Sequence, residues 1–90
     1  MTYMEALALV QKILNEIQEI SGREVIPVTE GTVPIGGVPG FDSLCAVDFT
    51  GLVESAVPAI GDIQNICVSK DGTRALAAKE IATRIVEATA

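Results

Sequence analysis

The residues best placed to do chemistry are Asp42 and Ser43, inside the pentapeptide Gly40-Phe41-Asp42-Ser43-Leu44. It closes a Pro/Gly-rich stretch and opens an apolar run with helical spacing. Asp42 is a natural N-cap, so Ser43 falls in the first helical turn with its hydroxyl outward. Backbone N–H groups and the helix dipole favour an anion there, and an attached phosphate fits well. The chain has no histidine, so Ser43 lacks an obvious base to make it a nucleophile of its own. It reads as a serine that another enzyme modifies.

The remaining groups offer little catalytic chemistry. The carboxylates are scattered and form no persuasive acid/base pair. The stretch Gly31-Thr32-Val33-Pro34-Ile35-Gly36-Gly37 is glycine-rich but lacks the Lys-Ser/Thr ending of a phosphate-binding loop. Asp62, Asp71 and Glu54 have no recognised metal-ligand spacing, and two cysteines without histidine do not make a zinc site. Cys45 lies within one turn of Ser43. It reads either as a thiol able to accept or exchange an acyl group, or as a small helix residue with no chemical task. Cys67 reads as a small apolar core residue. We therefore expect no catalytic residues, no metal site and no enzymatic activity.

The elements that must position Ser43 are helices. Ala6, Val10, Ile13, Ile17 and Ile20, with Leu7 and Leu14 beside them, predict a first helix with one apolar stripe. Gln11, Lys12, Asn15, Glu16, Gln18 and Glu19 form its polar face. Thr2 and Glu5 make a capping-box pattern at its start, and Gly22 suits its end. Residues 23–41 hold Pro27, Pro34 and Pro39 and do not read as a helix. Val25, Ile26, Val28, Val33, Ile35 and Phe41 suggest a long connection pinned across the bundle, with Glu24–Val28 a candidate strand that lacks a convincing partner. A second helix runs from about Ser43 to Val57, ended by Pro58. Leu44, Val47, Leu52, Val53 and Ala56 are its expected inward face, and Gly51 either admits a close neighbour or is simply tolerated. Residues 59–70 support a short helix or a single turn. A last helix, capped by Asp71 or Thr73, would bury Leu76, Ala77, Ile81, Ile85 and Ala88. The expectation is an all-α fold in a single domain, residues 1–90: three main helices plus one short helix, with the long connection between the first two.

Composition narrows the partners. The net charge is −6 and the pI is near 4.3, which disfavours nucleic acid and anionic membranes. Acidity suits docking onto basic patches of other proteins, and it also aids solubility. No secretory leader or membrane-spanning run is evident. The chain reads as a cytoplasmic monomer with reduced thiols.

Gly-Phe-Asp-Ser-Leu at the start of the second helix of a small acidic bundle resembles the acyl carrier proteins. The resemblance is strongest over about residues 38–57. It implies 4′-phosphopantetheine on Ser43, delivered from coenzyme A by a Mg-dependent phosphopantetheinyl transferase. It also implies a metal-assisting role for Asp42 during transfer and a core anchor at Leu44. An acyl ligase or acyltransferase would then load the arm with a fatty, polyketide, amino-acid or sugar-linked acyl group. Asp48, Gly51 and Glu54 would meet partner enzymes. Three departures point to a specialised carrier. Cys45 stands where fatty-acid carriers have an acid, Gly51 stands where an exposed apolar residue is usual, and Pro58–Ile66 replaces an acidic third helix. The alternative is a carrier-like adaptor that is never modified and acts only by binding proteins.

Overall fold

The computed structural model covers residues 1–90 and contains helices with no β-strand. Helix α1 spans Tyr3–Ser21. Thr2 and Glu5 close the capping box in both directions: Glu5 N–H donates to Thr2 Oγ1 (3.2 Å) and Thr2 N–H to Glu5 Oε1 (2.8 Å). Gly22 ends α1 in the left-handed conformation, at φ 71°. Ala6, Leu7, Val10, Ile13 and Leu14 are buried, Ile17 half so. Two parts of the expected face differ. Ile20 is exposed at the C-terminal end of the helix, and Gln18, assigned to the polar face, is buried. Its amide Nε2 donates to the carbonyls of Glu24 and Pro39, both at 2.8 Å. The side chain thus supplies the polar partners that a backbone crossing the core requires.

The long connection runs back along α1. Gln11 Nε2 donates to Val28 O (2.8 Å), and extended residues 23–28 pair with no strand. A single turn, α2 (Pro34–Gly37), follows, with Ile35 and Gly36 outside helical dihedrals. Pro34, Val38 and Phe41 are buried here, while Ile26, Val28, Val33 and Ile35 are half-buried and Val25 is exposed.

Helix α3 spans Ser43–Ala56 and buries Val53 as expected, but otherwise turns a different face inward. Cys45, Ala46, Phe49, Thr50 and Val53 are buried, whereas Leu44, Val47, Leu52 and Ala56 are exposed. Apolar residues occur on both sides of this helix, so periodicity alone does not choose between them. Phe49 decides the matter. It is wholly buried, worth roughly 1.5–3 kcal/mol, and meets Phe41 edge-to-face with ring centroids 6.3 Å apart. Thr50, on the same face, donates to Ala46 O (2.8 Å) and accepts from Ile66 N–H (3.0 Å), fastening the next segment onto α3.

After α3 comes a 3₁₀ turn, Pro58–Ile60, the only helical turn in the ambiguous region. Residues 67–76 then fold back as a hairpin-like loop, with Ser69 N–H to Arg74 O and Leu76 N–H to Cys67 O at 2.8 Å each. The last helix, α4, spans Ala78–Thr89 and is capped by neither Asp71 nor Thr73. Asp71 organises the loop turn by accepting from the Ser69 hydroxyl and from the N–H and hydroxyl of Thr73. The start of α4 is secured by Glu80, which accepts from Ala77 N–H (3.0 Å) and pairs with Arg74. α4 buries Ala78, Ile81, Ala82 and Ile85. α1 packs against both α3 and α4, which places one continuous apolar core between the three main helices. No helix is long and apolar enough to cross a membrane.

Candidate functional site

Gly40 enters the site region with φ 72°, which allows the chain to turn into α3. Asp42 is extended and caps the helix, its Oδ1 accepting from Cys45 N–H at 3.0 Å. That hydrogen bond holds the Asp42 carboxyl below the usual aspartate range. Ser43 is the first helical residue and is exposed. Neither its N–H nor its hydroxyl has a partner within the chain.

Leu44 does not anchor the helix start in the core: it is 76% exposed. It faces out with Val47 (53%) and Leu52 (42%), so bulky aliphatic surface lies beside Ser43. Phe41 and Phe49 fill the interior in its place. Asp48, Gly51 and Glu54, the expected partner contacts, are all exposed on α3. A Cβ on Gly51 would meet nothing within 4 Å, so no neighbouring backbone requires that glycine.

Two residues of this region escaped sequence reading. Arg23 donates through Nη1 to Cys45 Sγ (2.9 Å), and its charge also helps keep Asp42 ionised. It is the only cation between Lys12 and Lys70, which was the available signal. Gln18 ties the end of α1 to Glu24 and Pro39, just before the motif, and its buried Oε1 has no partner. Cys45 is buried under Arg23, which fits a packing residue better than an open thiol. Cys67 is buried as expected, and burial pushes its thiol up to about 12 against the opposing charge of Arg84.

Comparisons with protein-family models, curated proteins and solved structures found no match.

Proposed function

We propose that this chain is a carrier that bears a 4′-phosphopantetheine arm on Ser43 and presents it to separate enzymes. The supporting observation is an exposed, unpartnered Ser43 hydroxyl at the first position of a helix capped by Asp42. The residues present suit a phosphodiester. The free Ser43 N–H points out of the helix start, the dipole favours negative charge, and Arg23 adds a cation close to Asp42. Asp42 uses one carboxylate oxygen for the cap, which leaves the other to help hold a Mg²⁺ ion during transfer. When attached, the arm would carry an acyl group as a thioester on its terminal thiol.

In this reading α3 is the address. Leu44 and Val47 offer apolar contact, and Asp48 and Glu54 offer charge for a basic partner surface. A helix with so few acids steers weakly toward strongly basic enzymes. The proposed partners are therefore a phosphopantetheinyl transferase and a dedicated acyl ligase or acyltransferase in a specialised lipid, polyketide or cell-surface lipid pathway, in the cytoplasm.

The test is incubation with coenzyme A, Mg²⁺ and a broad-specificity phosphopantetheinyl transferase, followed by intact mass. One phosphopantetheine should be added to the wild-type chain and none to Ser43→Ala. A folded wild-type chain that stays unmodified would sink the proposal and leave the exposed aliphatic face of α3 to an unmodified adaptor.

A further inference from the structure

The two long connections are fastened to the bundle in different ways. The one before α3 is tied to α4 through its backbone, with Ala78 N–H donating to Thr32 O (2.7 Å) and Lys79 N–H to Glu30 O (2.9 Å). Residues 61–76, between the 3₁₀ turn and α4, have no such tie. Gly61 N–H and Ile63 N–H donate to Pro58 O and Ile60 O, and the hairpin-like loop closes through Ser69, Gly72 and Leu76. No backbone–backbone bond joins this segment to α1, α3, α4 or the other connection.

Side chains fasten it instead. Ile66 N–H donates to Thr50 Oγ1 on α3 (3.0 Å). Arg84 on α4 donates through Nη1 to Val68 O (2.6 Å) and, at longer range, to Ile66 O (3.4 Å). Ile66 is thus held from both helices and lies in the seam between them. Arg74 also pairs with Glu80 (2.9 Å), but at the surface, where an exposed ion pair adds little. Only Ile66, Cys67 and Leu76 of the segment are buried. α1 packs on both other helices, whereas α3 and α4 barely touch each other, so this segment and the 3₁₀ turn bridge them.

We infer that residues 61–76 form a strap that releases as one unit, with Thr50 and Arg84 as its latches, while α3 and α4 stay packed on α1. Three buried side chains and a few side-chain bonds must offset the conformational freedom that the whole segment loses. A segment so anchored opens at a lower free energy than helices that share one core. Release uncovers Cys67 and leaves α3 joined to α4 chiefly through α1 and the 3₁₀ turn. The strap therefore sets how far the helix bearing Ser43 can move, whether or not Ser43 is modified.

The test is native-state hydrogen exchange of the full chain at low urea concentrations, with methanethiosulfonate labelling of Cys67 alongside. The amides of Ile66, Ser69 and Leu76 should share one opening constant. It should be at least about tenfold larger than that of Val10, Val53 and Ile85, and nearly independent of urea because little surface is exposed. Cys67 should be labelled through the same opening. Arg84→Met, folded by circular dichroism, should enlarge the strap constant about tenfold. Gly40→Ala, whose Cβ would meet Arg23, should speed exchange at Val10, Val53 and Ile85 and leave the strap constant unchanged, because the strapped and released states bear its cost equally. Strap amides that follow the helices in urea, differ widely among themselves, accelerate with Gly40→Ala or ignore Arg84→Met would overturn the inference. So would a Cys67 that is labelled only on global unfolding.

Discussion

Gly40→Ala tests how the approach to Ser43 is built. Gly40 has φ 72°, and a Cβ there would lie 2.6 Å from Arg23 Cδ and 2.9 Å from its Nε. Alanine in left-handed backbone costs roughly 1–2 kcal/mol. The contact is with a flexible side chain, so Arg23 would swing away and lose its 2.9 Å bond to Cys45 Sγ. That loss adds about 1 kcal/mol. The total of about 2–3 kcal/mol should lower the melting temperature of a domain of this size by about 10–20 °C. In an Arg23→Ala background the clash and the bond are both absent, so Gly40→Ala should then cost only the backbone part. A double-mutant cycle read by urea unfolding should give a coupling of about 1 kcal/mol between the two positions. A Gly40→Ala chain within 0.5 kcal/mol of wild type, or an undiminished cost without Arg23, would refute the packing described for this turn.

Asp42→Ala should lose the helix cap, cost about 1 kcal/mol in urea unfolding, and slow modification of Ser43 by a transferase. Ser43→Ala touches no partner and should leave the unfolding midpoint within about 0.5 kcal/mol of wild type while abolishing modification. Thr50→Val should strand the buried Ile66 N–H and cost about 1–3 kcal/mol, with amide exchange at Ile66 accelerated and Thr50→Ser close to wild type. Asp71 and Glu80 are both held down to about 2, Asp71 by the Ser69 and Thr73 hydroxyls and Glu80 by Arg74. Their contribution to stability is complete above the unfolded carboxylate values near pH 4 and is lost as pH falls toward about 2. Acid unfolding followed by circular dichroism should show that loss, and Glu80→Gln should flatten it.

Much of this molecule was legible because local signals agreed with one another. The T-x-x-E start of α1, its left-handed Gly22, the Asp42 cap and the Pro58 stop are short-range devices, and each appears where the residues indicate it. Long-range hydrogen bonds were not legible. Gln18 reads as solvent-facing until the connection returns across α1 and supplies two carbonyls to its amide. Asp71 and Thr73 have the residue types of a helix cap, but they satisfy each other inside a turn, and α4 starts later with Glu80 securing Ala77 N–H. Arg23 acquires its role only when Cys45 is placed beneath it.

The reversal of α3 bears most directly on function. Of the large aliphatic residues expected inside, only Val53 is buried, and the rest of the buried face is Cys45, Ala46, Phe49 and Thr50. One aromatic flanked by small residues lets α3 sit close to α1, and Thr50 uses its buried hydroxyl to hold the following segment. Leu44 and Val47 are left in water with no internal packing role, next to a serine without a partner. Scattered exposed aliphatics are ordinary, but these two lie one helical turn apart on the face that begins at Ser43. Truncating them to alanine should therefore hardly alter stability. If α3 is the address of a carrier, the same truncation should raise the KM of whichever enzyme acts at Ser43 and leave kcat nearly unchanged, because lost docking surface weakens ground and transition states alike. A fall in kcat at constant KM would instead place Leu44 and Val47 in positioning the arm.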